Sequence, residues 1–401
     1  MKKLFDKIII IFVTLSILSP CQGDANLDAS INIQDVILII NHIISDSELV
    51  DDAFNNSDTN NDETIDILDI VFIIDSILEG ASECTATYLD LSLEWDFSED
   101  LSYFNNEELG DIVNQMSDLS YLDGLIVIHD GKIVSENYYN GSSINETFNI
   151  FSVTKSFMST LIGQAIDMGY FDSQYVTVSN LLPFFTQPYL TQISLHNLLT
   201  MSSGYADGFA YPYWVSATTN ALQWMPYSFP GFFFYNNSAC HLNSHVLYYM
   251  TDMTPFEFAN INLFPYLGIE NPQWLDGYLD INDGSASLEL NLRDMIKLGQ
   301  LYLQDGWSGD EQILSSAWVD QSTSMQIETG SPGVTGYGYL WWLPEDEGFM
   351  AIGYAGQHIA VYPDRNLVIG THSSINNSQD YQTQLFIYIH EYIAPIFESS
   401  D

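Results

Sequence analysis

The chain has 401 residues, room for roughly two or three domains, and 53 Asp and Glu against 8 Lys and Arg give a formal net charge of −45. Such acidity repels phosphate backbones, which excludes nucleic acid as a partner and disfavours anionic membrane surfaces and strongly anionic substrates. Hydrophobic residues nonetheless make up 46% of the chain and aromatics 14%, far more than an acidic disordered chain holds, so a large folded core is expected.

Residues 1–21 read as an export signal. Lys2, Lys3 and Lys7 form a basic start, and Ile8 to Leu18 is an apolar run too short to span a bilayer and followed at once by polar sequence. The mature chain, with no other apolar stretch of membrane length, is then expected outside the cytoplasm: secreted, periplasmic or on the cell surface. Leu18-Ser19-Pro20-Cys21 loosely resembles a lipoprotein cleavage site. Cys21 thus has three readings: a lipid anchor, a disulfide to Cys84 in an oxidising compartment, or a free thiol.

Residues 22–82 hold an internal repeat, offset by 34 residues (58 − 24). Asp24, Asn26, Asp28, Ser30, Asn32 and Asp35 occupy positions 1, 3, 5, 7, 9 and 12 of the first copy. Asp58, Asn60, Asp62, Thr64, Asp66 and Asp69 occupy those positions in the second, and each loop feeds an apolar helix. Ca²⁺ needs six to eight oxygen donors, and a twelve-residue loop supplies them at this spacing. Two Ca²⁺ sites are expected. The segment resembles a type I dockerin, a small all-α module, and the resemblance implies a cohesin-bearing scaffold protein as partner. It departs from that pattern at position 6, Ala29 and Glu63 in place of Gly. Positions 10 and 11 are Ile33-Gln34 and Ile67-Leu68 where small hydroxyl residues are expected.

Residues 83–104 read as a linker and lead-in strand, and 105–401 as one catalytic-sized domain. A helix is expected over 107–116 and a hairpin over 122–139, turning at Asp130-Gly131. A further helix starts near Ser152. Strands are expected at 337–342, 350–354, 358–362 and 367–371, then a helix over 382–397. Strands from both ends of the domain with helices between them predict an α+β fold, an antiparallel sheet flanked by helices.

Gly-x-Ser-x-Gly, His-Glu-x-x-His and Gly-rich phosphate loops are all absent. Ser152-Val-Thr-Lys155 is present at a helix start. Its three-residue spacing puts both side chains on one face, and burial is expected to lower the Lys155 pKa so that it serves as a base. Tyr235-Asn236-Asn237 could add a proton-shuttling phenol and an orienting amide. In Gly353-Tyr354-Ala355-Gly356-Gln357, Gly356 is expected to let substrate lie along the strand, and the Gln357 amide to complete an oxyanion hole with that of Ser152. Aromatic density over 205–234 suggests a pocket lining or simple core.

Together the three elements resemble the serine β-lactamase and penicillin-binding-protein superfamily, most closely its esterase, class C-like and 6-aminohexanoate-dimer-hydrolase branch. Ile126-Val-Ile-His-Asp-Gly-Lys132, Leu198-Leu-Thr-Met-Ser-Ser-Gly204 and the run from Leu292 to Tyr302 also look like that branch. The resemblance implies Ser152 as acyl-enzyme nucleophile, Lys155 and Tyr235 as the base pair, and Asn237, Tyr354, Gly356 and Gln357 around the substrate, with no catalytic cofactor. Tyr354 stands where lactamases and carboxypeptidases place a Lys or His for the substrate carboxylate, and His358 lies two steps beyond Gly356 as a partial substitute. A small neutral ester or amide is therefore the expected substrate. The alternatives are a D-alanyl-D-alanine carboxypeptidase or β-lactamase, and a binding protein on a lapsed hydrolase scaffold.

Overall fold

The computed structural model describes residues 23, 25, 31–44, 49, 51–59, 64–79, 88–184, 188–204, 229–331, 333–345 and 347–397. The export segment, Cys21, Cys84, the aromatic stretch through residue 228 and the loop residues Asp24, Asn26, Asp28, Ser30, Asn60 and Asp62 lie outside these. The chain divides into two compact units, residues 1–87 and 88–400.

In the first unit the sequence repeat is also a repeat of structure. Helices α1 (Ile33–Ile43) and α3 (Ile67–Glu79), with α2 (Asp51–Ser57) between them, start in the same way. Asn32 Oδ1 accepts the Gln34 N–H at 2.8 Å, and the Asp35 carboxylate accepts the Asn32 N–H at 2.7 Å. Asp66 and Asp69 repeat this with the amides of Leu68 and Asp66, both at 2.7 Å. Capping of this kind satisfies amides that the first helical turn leaves without partners. Val36 and Ile39 of α1 then pack with the equivalent Ile70 and Ile73 of α3, together with Ala25 and Ile31. The neighbouring rows Ile33, Ile37, Ile40 and Ile67, Val71, Ile74 stay exposed.

The second unit is organised around one eight-stranded sheet. Its strands are β1 (Leu122–His129), β2 (Lys132–Tyr138), β3 (Ile327–Ser331), β4 (Val334–Tyr337), β5 (Trp342–Leu343), β6 (Phe349–Gly353), β7 (Gln357–Tyr362) and β8 (Leu367–Ser373). They lie in the order β2-β1-β8-β7-β6-β5-β4-β3, antiparallel throughout. The first and last strands of the sequence thus meet at β1–β8, as a sheet closed by the two ends of the domain requires. The β1–β2 turn places Asp130 and Gly131 at φ 48° and 70°, as a two-residue hairpin demands.

Both faces of the sheet are covered, which is why β1 reads as an almost unbroken apolar run. Ile126, Ile128, Ile359, Val361 and Val368 share one core with helices α5 (Thr154–Asp167), α6 (Asn237–Thr251) and α7 (Leu292–Leu303). Leu125, Val127, Ala360, Tyr362 and Ile369 face α4 (Asn106–Met116), α8 (Gln379–Ile387) and the tighter turns that carry the chain on to Ile396. Gly299 lets α7 lie flat on the sheet, since a Cβ there would come within 2.6 Å of Ile359 and 2.7 Å of Val368.

Two expected strands differ. The 337–342 segment turns between β4 and β5: Leu340 sits at φ 63°, and a Cβ on Gly338 would come within 2.0 Å of the Ser322 carbonyl. Lead-in residues 88–104 belong to the second unit and make a single bridge, Phe97 with Ile133, rather than a strand. Burial of Leu91 and Trp95, with the Trp95 indole donating to the Arg293 carbonyl at 3.1 Å, holds that segment down.

Candidate active site

The turn that carries Ser152 is strained. Phe151 sits at φ 47°, a conformation costing a bulky L residue on the order of 1–3 kcal/mol. The Phe151 N–H donates to Asn149 Oδ1 at 2.7 Å, and the Ile150 N–H donates to the Leu288 carbonyl at 2.9 Å. These bonds hold the bend that presents Ser152 on a short 3₁₀ turn (Phe151–Val153) running directly into α5.

One turn into the helix, Lys155 is 1% exposed. Its Nζ lies 2.8 Å from Ser152 Oγ, 2.8 Å from Asn237 Oδ1 and 2.6 Å from the Ser285 carbonyl. Burial pushes the Lys155 pKa down, as expected, but Tyr235, Cys240 and Asp283 more than offset it and the net shift is upward. The expectation of a neutral amine is therefore corrected: Lys155 rests as an ammonium, and three oxygens receive its three N–H groups.

Tyr235 and Asn237 come to the same point from the far side. Asn236 caps α6, its side chain accepting from the Ala239 N–H at 2.6 Å, and this leaves Asn237 at the first helical position facing Lys155. The Lys155 ammonium lies 5.0 Å from the Tyr235 ring centroid. Tyr235 stacks on Trp342 at 5.4 Å, with Phe233 and Tyr337 packed around the indole. The result is an aromatic wall beside Lys155. In the described end of the aromatic stretch, Phe229, Phe232 and Phe234 are exposed, whereas Phe233 packs on Trp342.

The β6–β7 hairpin forms the third side. Its end lies against the Ser152 turn, since a Cβ on Gly353 would come within 2.5 Å of the Ile150 carbonyl. Gln357 opens β7 with its side chain locked. Its Nε2 donates to the Ser373 carbonyl at 2.7 Å, and its Oε1 lies 2.8 Å from His372 Nδ1 and accepts the Ser373 N–H at 3.1 Å. Tyr354 is 46% exposed and meets Phe151 edge to face at 5.5 Å. Gly356 has a different basis from the one expected: at φ 110°, its missing Cβ points toward Ser373, Leu385 and Tyr381, on the opposite face of the sheet. His358 shares that opposite face. It is buried near His390, with its pKa pushed down to about 3 by burial, and it does not reach the site.

A profile of the Beta-lactamase family matches residues 122–393, about two thirds of the chain. The chain belongs to the beta-lactamase family. That places the second unit among the beta-lactamase-fold serine hydrolases, the fold expected from the sequence. Several solved structures share this fold. A Bacillus anthracis protein assigned as a 6-aminohexanoate-dimer hydrolase superposes with a TM-score of 0.63 at 21% identity, covering 77% of this chain and 90% of that one. A class C beta-lactamase from Rhodobacter sphaeroides gives 0.58 at 17% identity, over 72% of this chain and 100% of that one. An octameric penicillin-binding protein homologue from Pyrococcus abyssi gives 0.57 at 17%, over 71% and 76%. No curated protein matches the chain significantly.

Against this beta-lactamase frame, basic residues are scarce where a substrate would lie. Arg293 is held by Glu136 at 2.6 and 2.8 Å, Arg365 by Glu347, and Lys297 donates to the Leu93 carbonyl at 3.1 Å. Lys132 pairs with His129, at the opposite end of the sheet from Gln357. Among the described residues, Lys155 is then the one cation at the site, and its three donors are engaged. Residue patterns missed two contributors, Asp283 and Ser285. Ser285 acts through a backbone carbonyl, which has no residue-type signature, and it lies 130 positions from Lys155.

Of the calcium-loop residues, Asn32, Asp35, Asp58, Thr64, Asp66 and Asp69 are described. Asp69, at position 12, is fully buried and accepts the Thr59 N–H at 2.8 Å and its hydroxyl at 3.0 Å, which draws the two ends of the second loop together. Buried carboxylates and an all-oxygen donor set suit a hard cation. Among the described residues no cluster of three or more His, Cys, Asp or Glu is gathered around one point.

Proposed function

We propose that the protein is an exported serine hydrolase cleaving a small neutral ester or amide through an acyl-Ser152 intermediate. The observation that carries this reading is Lys155 Nζ at 2.8 Å from both Ser152 Oγ and Asn237 Oδ1, beneath the Tyr235 ring. Ser152 Oγ attacks the substrate carbonyl carbon while its proton passes to the Tyr235 oxygen and the phenol's own proton moves on toward the leaving-group atom. The ammonium stabilises the charge growing on Oγ, and the amides of Ser152 and Gln357 receive the oxyanion. Collapse of the tetrahedral intermediate breaks the bond to the leaving alcohol or amine, which departs with the proton relayed through Tyr235. Water then attacks the acyl-enzyme by the reverse relay, releasing the acid and restoring the Ser152 hydroxyl.

Specificity for neutral substrates follows from Tyr354, uncharged and half-exposed beside Phe151, and from the engaged or distant cations described above. Matched p-nitrophenyl esters, one ending in a methyl group and one in a carboxylate, test this. The neutral ester is expected to show a kcat/KM at least tenfold higher, about 1.4 kcal/mol in transition-state binding. Equal values, or stable acylation by a penicillin, would favour the lactamase or carboxypeptidase reading instead.

For the first unit, the reading is a duplicated calcium module through which the hydrolase docks on a cohesin-bearing scaffold. The matched caps of Asp35 and Asp69 and the exposed rows on α1 and α3 support it. Calorimetric titration is expected to show two Ca²⁺ sites, both lost in the Asp35→Ala, Asp69→Ala double variant. No heat in the unaltered protein would contradict the calcium reading. Export rests on residues 1–21 of the sequence; among the described residues no helix is long and apolar enough to cross a membrane.

A further inference from the structure

We propose that Asp283 is a positioning residue for acylation: through Ser285 it fixes the backbone carbonyl that holds Lys155 against Ser152. The inference rests on the acyl-serine reading and extends it to a residue outside its three sequence elements. Asp283 is 4% exposed, and its Oδ1 accepts both the Ser285 N–H at 2.9 Å and the Ser285 hydroxyl at 2.7 Å. Two donors from one residue clamp the turn whose carbonyl receives Lys155 Nζ at 2.6 Å. The Trp274 indole donates to the Asp283 carbonyl at 2.9 Å, and the Cys240 thiol lies 3.5 Å from that of Gly284. Gly284 is required there, because a Cβ would come within 2.3 Å of Ser244 and 2.6 Å of Met158. The segment 283–285 is thus wedged between α5 and α6 with its one free carbonyl aimed at the lysine.

Charge adds to position. The groups facing this pocket are Lys155 on α5, Cys240 and His241 on α6, Tyr235 before α6, Tyr337 on β4, and Asp283 itself. His241 Nδ1 is 3.6 Å from Asp283 Oδ1, and burial holds its pKa down at about 4, so the imidazole is neutral at ordinary pH. Burial raises the Asp283 pKa, and Ser285 and Lys155 offset only part of that rise. Asp283 in turn raises that of Lys155, so losing its carboxylate frees the lysine proton at lower pH.

The test is the rate at which a fluorophosphonate labels Ser152, read by intact mass across pH on full-length protein, with circular dichroism as the fold control. Asp283→Asn is expected to slow labelling about tenfold or more and to move the alkaline limb of the profile down by about one pH unit. Ser285→Ala, which removes one donor and leaves the backbone in place, is expected to move the limb the same way by less. It decides the matter if Asp283→Asn does not fold. Folded variants that label with the wild-type rate and limbs would overturn the inference while leaving the acyl-serine reading intact. A wild type that fails to label would contradict both.

Discussion

Replacing Lys155 by Met is expected to reduce kcat/KM by roughly 10²–10⁴-fold while the protein still folds. Nζ is bonded to Ser152, Asn237 and Ser285 together, so its loss removes the charge that stabilises the attacking oxygen and the group that holds Ser152 and Asn237 in line. The structural consequences oppose one another. Met fills the space and removes the cost of burying an ammonium, but it leaves the Asn237 and Ser285 oxygens short of a donor, at about 1–3 kcal/mol each. Steady-state kinetics beside a denaturant titration separate the two. Full activity in a folded Lys155→Met protein would remove Lys155 from the chemistry.

The second large effect is expected from Tyr235→Phe. The ring keeps its stack on Trp342 and its place against the lysine, so stability should change by less than about 1 kcal/mol. What disappears is the phenol, and with it the proton's path between Ser152 and the leaving group. A fall in kcat of roughly 10²–10⁴ with KM nearly unchanged is the expected result. A fall in stability with kcat retained would return Tyr235 to the role of a core aromatic, its plainest reading from sequence.

These two residues show which parts of the molecule were legible in its sequence. Ser152 and Lys155 are three positions apart, and a helix of known period fixes their relation without reference to the rest of the fold. The β1–β2 hairpin was legible for the same local reason, through Asp130-Gly131. The repeat in residues 22–82 was legible because register repeats: the cap at Asn32 predicts the cap at Asp66, and Val36 predicts Ile70.

Tertiary features were less legible. The 337–342 segment carries the aromatic residues of a strand, but its contacts with Ser322 make it a turn. Burial of Lys155 was expected to leave it neutral; the decision lay with Tyr235, Cys240 and Asp283, brought near by α6 and the 283–285 turn. Gly356 was expected to make room for substrate, whereas its backbone φ and the packing of Ser373, Leu385 and Tyr381 explain it. His358 was counted by strand alternation on the same side as Gly356, correctly, yet that side faces α8 and not Ser152.

The measurement that bears most directly on the whole account is the intact mass of full-length, calcium-loaded protein after incubation with a fluorophosphonate, beside a Ser152→Ala control. The account predicts one covalent adduct on the unaltered protein and none on the variant. A well-folded protein that takes up no adduct, or one whose adduct survives loss of the Ser152 hydroxyl, would contradict it.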